Sequence, residues 1–330
     1  MGGDPSVTSP IFFVPTHGSW SGGGKGVLNN YRHAASRHPE ISFDGGDIDV
    51  INRNYPNSTA GWSRPFILAP QNAWPWEGPT LGLKEKAKVA ALRVASEAAM
   101  RRAKGVVRVG GSIPIRGRSH SSLLPNPLDP DFEEQVRGIE ESPSPSSEPY
   151  ILSLGSINSY RGIEDLLGGY RSYLDGGGAL PLRIVGGGQP HYLAHINELA
   201  RELPTVTIST RGVSRREALI FLHHATAAVL PSHVEASPFS LLEALAVQHN
   251  VIASDITGHH DIVPAGVPAP TWFPHSDPRA LGEALASAKA GSGLPPTPLA
   301  DERWREQLRV DWGNRLVKML AELSTESVHD

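Results

Sequence analysis

Cysteine does not occur anywhere in the 330 residues. Its absence excludes a disulfide framework and any thiolate-held metal, and it fits a reducing compartment. Charge of one sign is not in excess either. Lys and Arg number 30 against 34 Asp and Glu, a net charge of −4, so there is no basic field to draw nucleic acid. Long apolar runs are also missing: the longest fall far short of the roughly 20 residues that cross a bilayer, and no integral membrane segment is expected. Met1 to Pro10 carries neither a basic region nor an apolar run, so no secretory leader is expected. Met1-Gly2-Gly3-Asp4-Pro5-Ser6 formally fits the myristoylation pattern, a short match that nothing else supports. The expected location is cytoplasmic, with peripheral contact to a membrane left open. Asn57-Ser58-Thr59 is a formal glycosylation sequon without meaning in that compartment. No repeat of solenoid period is present.

What the chain does contain is 39% hydrophobic and 19% charged residues, the composition of a folded protein. Its length suits two domains better than one core. Short β-branched runs alternate with stretches of helical periodicity. Strands are predicted at Ile11–Val14, Ile48–Ile51, Phe66–Ala69, Val106–Val109 and Ser122–Leu124, then at Tyr150–Leu154, Leu182–Val185, Thr205–Ile208, Ala227–Leu230 and Val251–Ala253. Helices are predicted at Leu83–Arg102, Ile163–Leu174, Tyr192–Leu203, Arg215–His223 and Phe239–Val247. This alternation predicts parallel sheets with right-handed crossovers, about five strands in each half. Between the two series the Pro- and Ser-rich stretch 140–149 resists both helix and sheet and reads as a linker. The expected layout is an N-terminal domain over 1–140, a linker over 141–149, a second domain over 150–300 and a C-terminal helix over 301–330. Trp304, Leu308, Trp312, Leu316 and Leu320 make that helix amphipathic and able to pack back across the boundary.

One segment concentrates chemistry. The apolar run Ala227–Leu230 ends at Pro231-Ser232, and a loop then carries Glu235. Ser237 is a good N-cap and Pro238 a good first residue for the helix that follows. Ligands of open α/β sheets sit outside the carboxyl ends of the strands. A helix start there offers free N–H groups and a positive dipole end, suited to a diphosphate. Glu235 and Glu243 flank that point, and carboxylates accept paired hydrogen bonds from sugar or ribose hydroxyls. Read blandly, Glu235 is a solvated loop residue and Glu243 a surface one. Against that, Glu243 lies in the otherwise apolar stretch 239–246, where an acid is costly without a partner.

Pro231-Ser232-x-x-Glu235-x7-Glu243-Ala244 resembles the paired-glutamate motif of the family 4 retaining glycosyltransferases, which have the GT-B fold. The segment from Gly155 through Arg161-Gly162 is similar to that family's Gly-Arg-Leu-x3-Lys-Gly. The run Leu182–Val185 followed by Gly186-Gly187-Gly188 resembles its glycine-ended strand, and 251–258 and 273–278 continue the register. The resemblance covers most of residues 150–290 in the family's order. It implies a GT-B architecture, two Rossmann-like doubly wound parallel-sheet domains facing each other across a cleft. It also implies donor-side roles. Glu243 would bind the ribose hydroxyls, Glu235 would face the transferred sugar, and Arg161, in place of the family lysine, would neutralise the diphosphate leaving group. The backbone near Ser237, Phe239 and Ser240, with Gly186 and Gly187, would complete the donor site. Ser156 stands where the family usually has a phosphate-binding arginine, which removes a charge from the leaving-group site.

The first half is more diverged. Ser21-Gly22-Gly23-Gly24-Lys25-Gly26 fails the Walker A pattern, yet a glycine turn between strand and helix permits close backbone approach to an anion. It resembles the family's N-domain glycine loop, with Lys25 a substitute cation; a plain flexible turn is the lesser reading of the residues. Ala69-Pro70-Gln71-Asn72-Ala73-Trp74-Pro75-Trp76-Glu77-Gly78 resembles the family's His-Asp-x-Trp-Pro-x-x-Gly. Gln71 and Asn72 replace an imidazole and a carboxylate; neither is a general base, but both orient hydroxyls. Trp74 and Trp76 either stack on an acceptor or fill core, and His17 is a further acceptor-side candidate. His191 and His195 stand at i, i+4, but no third ligand of suitable spacing follows, so no metal site is expected. His223-His224 and His259-His260 are expected at the surface or the cleft edge.

The resemblance implies a metal-independent hexosyltransferase that moves a sugar from a UDP-, GDP- or similar nucleotide-diphosphate sugar to an acceptor hydroxyl with retention, a small-molecule acceptor being favoured. No cofactor is expected beyond that co-substrate. Two alternatives stand beside it: a non-catalytic or degenerate nucleotide-sugar-binding protein on the same scaffold, motivated by Ser156, Gln71 and Asn72, and another GT-B nucleotide-sugar enzyme.

Overall fold

The computed structural model describes residues 10–15, 23–56, 59–77, 82–115, 120–248, 250–288 and 297–325. The first half runs β1 (Phe12–Phe13), α1 (Gly23–Ala35), β2 (Ile41–Ser42), β3 (Ile48–Ile51), α2 (Thr59–Ser63), β4 (Phe66–Leu68), α3 (Trp74–Glu77), α4 (Gly82–Arg102), β5 (Gly105–Arg108), β6 (Ser121–Leu123) and α5 (Asp131–Val136). The second runs β7 (Ile151–Leu154), α6 (Ile163–Asp175), β8 (Leu182–Val185), α7 (Pro190–Ala200), β9 (Val206–Ser209), α8 (Arg215–His224), β10 (Ala227–Leu230), α9 (Phe239–Val247), β11 (Val251–Ser254), α10 (Thr257–Ile262), β12 (Thr271–Phe273), α11 (Pro278–Ser287) and α12 (Glu302–Thr325). The buried strand Ala227–Leu230 is apolar throughout because helices cover both sides, and Ile48–Ile51 is apolar apart from Asp49, which pairs with Arg64 at 3.2 Å.

Each half forms a six-stranded parallel sheet, ordered β2-β1-β3-β4-β5-β6 and β12-β11-β10-β7-β8-β9. These are the two doubly wound, Rossmann-like sheets expected, each with one strand more than the sequence pattern predicts. The additional strands are β2, whose two residues pair with Phe12 and Phe13, and β12, which pairs with Ile252 to Ser254. In the second sheet the chain builds outward from β7 through β8 to β9, then returns to the other side of β7 with β10. The topological switch point therefore lies between β7 and β10, and the loops after those strands flank it.

Two features tie the halves together. Leu128 and Phe132, which precede the Pro/Ser stretch, are buried in a cluster with Tyr150, Leu152, Leu241 and Leu245 of the second half. Helix α12 spans the boundary: Trp304 and Leu308 pack on that cluster, while Trp312, Leu316, Leu320 and Leu323 are buried against Phe12, Val27, Tyr31 and Val50 of the first half. Tyr31 and Trp312 meet edge to face at 5.3 Å.

Candidate functional site

The loop after β7 reaches the switch point through a tight left-handed turn. Gly162 has φ 63°, and a Cβ there would sit 2.0 Å from the Pro231 carbonyl oxygen, so only glycine lets the two loops meet. Just before it, the 3-10 turn Ser159–Arg161 brings the Arg161 guanidinium onto Gly155. From the loop after β10, Glu235 meets this guanidinium directly, both side chains 15% exposed. Ser232 Oγ donates to the same carboxylate oxygen at 3.0 Å, and the His233 N–H donates to the Tyr160 carbonyl at 2.9 Å. Burial works against the Arg161 charge, with Tyr160 acting the other way; a guanidinium stays protonated regardless. Ser153, Gly155, Ser156, Arg161, Pro231 and Ser232 line one small cavity at this point, so Ser156 does stand beside Arg161.

Glu243 lies on the second turn of α9, and its carboxylate accepts from Arg215 Nε at 2.7 Å. Burial pushes the Glu243 carboxyl above its ordinary range; Arg215 opposes that shift and Asp129 adds to it. For Arg215 burial acts downward, but Glu243 and Asp129 outweigh it and the net direction is up. The helix around Glu243 keeps its expected span, but its cap differs from the expected Ser237. Pro238 occupies the N-cap position without a side-chain cap, and Ser237 Oγ instead accepts from the Asn126 N–H of the first half at 3.1 Å. Phe239 packs on both halves, and Ser240 lines a second small cavity with Leu152 and Leu154. A Cβ on Gly186 would strike the Gly155 carbonyl oxygen at 1.7 Å, so this glycine serves the approach of two strand ends. Gly187 faces open space.

On the first half, His17 and Gly22 lie outside the described residues. Gly23, Gly24 and Lys25 form the first turn of α1 rather than a loop before it. Lys25 pairs with Asp131 at 3.6 Å, and a Cβ on Gly26 would meet Asp129 and Phe239, so the start of α1 abuts the start of α9. Gln71 Oε1 accepts from Asn126 Nδ2 at 3.1 Å, and Asn72 Oδ1 accepts from the Trp74 N–H at 2.8 Å. Trp74 faces Tyr160 across the boundary with ring centroids 5.8 Å apart, and both Trp74 and Trp76 pack on the core around Phe66 and Met100.

Three contributors escape the sequence pattern. Arg215 is one, although the capping pair Ser214 and Glu217, which fixes its place at the start of α8, is readable. The loop after β5 is another. Its Gly111 N–H donates to Asp261 at 2.5 Å and Ser112 Oγ to the Glu235 carbonyl, closing the first half onto the loop after β10; a strand ending in Gly-Gly-Ser is the available signal. The third is His259. It is not at the surface or the cleft edge but fully buried under that loop, with Nδ1 2.9 Å from the Ser254 carbonyl oxygen. Burial, despite that contact and together with nearby Arg161, pushes its pKa down to about 4, so the ring is neutral. His260 is exposed and pairs with Asp255.

Residues 136–307 match the family described as glycosyl transferases group 1, just over half of the chain. The chain belongs to this family. No curated protein matches it in sequence. Among solved structures, this group 1 glycosyl transferase resembles AviGT4, a glycosyltransferase involved in avilamycin A biosynthesis, with TM-score 0.61 and 15% identity over 96% of this chain and 99% of that one. It resembles an α,α-trehalose-phosphate synthase (UDP-forming) from Burkholderia vietnamiensis with TM-score 0.58 and 13% identity, covering 92% of this chain and 77% of that one. A sucrose-phosphate synthase from Thermosynechococcus elongatus gives TM-score 0.57 and 18% identity, covering 92% and 78%. At these identities the likeness establishes the shared GT-B fold. Among the described residues, no helix is long and apolar enough to cross a membrane.

Proposed function

We propose that this group 1 glycosyl transferase takes its sugar from a nucleotide-diphosphate sugar and transfers it to an acceptor hydroxyl with retention of configuration, without a metal. The observation that carries the reading is the meeting of Arg161 and Glu235 at the switch point, with Glu243 on the adjoining helix. Arg161 and the start of α9 stabilise the charge that develops on the departing diphosphate. Glu235 meets the Arg161 guanidinium; the donor diphosphate takes over that contact and leaves Glu235 to face the sugar. Glu243 accepts from the ribose hydroxyls. An oxocarbenium-like sugar forms, and the acceptor hydroxyl attacks from the face the diphosphate has left. The departing phosphate takes the acceptor proton, which suits a site where Gln71 and Asn72 hold hydroxyls but remove no proton. Trp74, half-buried against Tyr160 of the second half, supports a small hydroxyl-bearing acceptor bound beside its ring.

A panel of UDP-, GDP- and other nucleotide sugars, screened by thermal shift and by slow donor hydrolysis, tests this. Glu243→Ala is expected to weaken nucleotide binding about tenfold, the order of one lost charged hydrogen bond. Arg161→Ala is expected to lower turnover on the order of a hundredfold, with little change in affinity. No stabilisation by any nucleotide sugar would remove the reading. Binding without transfer or hydrolysis would instead favour a degenerate binding protein.

A further inference from the structure

Arg215 occupies the first position of α8, held there by a capping box in which Ser214 Oγ accepts from the Glu217 N–H at 3.2 Å. From that fixed origin its guanidinium reaches two carboxylates on different halves of the protein. Nε donates to Glu243 at 2.7 Å, and Nη1 lies 2.8 Å from Asp129 Oδ2. Its plane also lies over the Phe132 ring at 5.7 Å. Asp129 is 1% exposed at the side chain. It accepts from Asn29 Nδ2 of α1 at 3.4 Å and sits against Gly26. A continuous polar chain therefore runs from the start of α1 through Asp129 and Arg215 to Glu243.

Two edges of a planar guanidinium suit this bridge, and a single ammonium does not. The elements packed on α9 are α8, the short turn Pro298–Ala300, α10 and β11. The charged groups that act on Glu243 are Arg215 of α8 and, from the turn before α5, Asp129. Arg215 thus supplies the positive charge that opposes both burial and Asp129 at this carboxylate.

We propose that Arg215 is a positioning residue for the nucleotide: it holds Glu243 aimed at the ribose diol, and it makes ribose recognition depend on Asp129 of the other half. The inference rests on the reading of Glu243 as the ribose ligand. Arg215 occupies Oε1 through one lone pair, which leaves Oε2 and the second lone pair of Oε1 for two adjacent hydroxyls. Without Arg215 the buried carboxyl holds its proton to higher pH, becomes a mixed donor and acceptor, and loses its fixed direction.

Calorimetric titration of UDP and GDP, each beside its 2′-deoxy counterpart, tests this on the folded full chain across pH 5 to 9. The wild type is expected to prefer the ribonucleotide and to lose that preference as pH falls and Glu243 protonates. Arg215→Gln is expected to weaken ribonucleotide binding about tenfold, to bring the ribo-to-deoxy ratio near one at neutral pH, and to move the acid loss to higher pH. Arg215→Lys restores the position of the acid loss but only part of the affinity, a split that a merely structural role would not produce. Asp129→Asn removes a charge that pushes the Glu243 carboxyl up, so the acid loss is expected to move to lower pH, while the loosened hold on Arg215 weakens ribonucleotide binding by a smaller factor. Glu243→Gln separates the two ideas. If it leaves the ribo-to-deoxy ratio unchanged, the ribose reading falls and this inference with it. If Glu243→Gln abolishes the preference while Arg215→Gln and Arg215→Lys keep the wild-type ratio and pH profile, the ribose reading stands and the role of Arg215 is overturned.

Discussion

Arg305 and Arg309 point from α12 into the boundary between the halves, 4% and 3% exposed, and share the Glu133 carboxylate. Nε of Arg305 donates to it at 2.9 Å and Nη1 of Arg309 at 2.8 Å. Burial alone would raise the Glu133 pKa, but the two guanidinium groups outweigh it and hold the carboxyl below its ordinary 4.5. Removing the carboxylate leaves Arg305 buried without an anion and Arg309 with Glu306 alone, so Glu133→Ala is expected to cost about 3–5 kcal/mol of unfolding free energy. The sign with pH follows from the depressed native value. The contribution is fully present above the unfolded value near 4.5 and is lost as pH falls through the lower folded one. Denaturant melts of wild type and Glu133→Gln should therefore differ most at neutral pH and converge in acid; a gap constant down to pH 3 would contradict the ionic origin. This triad illustrates what a sequence reading misses at this scale. Glu133 lies about 170 positions from its partners, and nothing local to it announces them. Glu235 and Glu243 were legible as candidates because a strand end and a helix start carry them in one local pattern, whereas Arg161, on a distant loop, entered only through the family resemblance. His259 was not legible, because adjacent histidines in a six-residue helix give no clue to which one faces inward.

Helix α12 is where an element read correctly from its own periodicity turns out to serve a core formed more than 250 positions earlier. Leu316 and Leu320 are fully buried against the first sheet and α1, although they close the chain. Gly105 at the start of β5 takes the last turn of this helix so closely that a Cβ would stand 2.6 Å from the Leu323 side chain. Leu316→Ala or Leu320→Ala is accordingly expected to destabilise by about 2–5 kcal/mol. Hydrogen exchange should speed up in β1, β3 and α1, with β8 and β9 of the second sheet spared. Equal acceleration in both sheets would mean that α12 belongs to neither half in particular. Strand length decided what was visible among the smaller elements. Helix α9 and strands β8 and β10 coincide with their predicted spans because an apolar run is bounded by proline or glycine at each. Strands β2 and β12, two and three residues long, form only because β1 and β11 offer free parallel edges. A partner strand, not a local pattern, creates them.

For the whole molecule, one contact between the halves is of backbone on backbone. A Cβ at Gly110 would lie 1.9 Å from the Ala236 carbonyl oxygen, in the loop that bears Glu235. No rotamer relieves such a clash, so even alanine must part the halves or distort one of the two loops. The neighbouring Gly111 is the natural control. A Cβ there meets the Asp261 carboxylate at 2.9 Å and the Thr257 methyl at 3.0 Å, side-chain atoms that can move aside. Gly110→Ala should therefore open the protein, seen as a larger radius of gyration by small-angle scattering, while Gly111→Ala should scatter like wild type. Both Glu243 and Arg161 stay on the second half, so nucleotide affinity should change by no more than a few fold, through the loosened link from Asp129 to Arg215. Transfer needs donor and acceptor groups from both halves in register, and a displacement of ~1 Å costs on the order of a hundredfold in rate. Gly110→Ala should thus separate turnover from binding, losing the first and keeping most of the second. A variant that scatters and turns over like wild type would show that the loops after β5 and β10 do not hold this contact in solution.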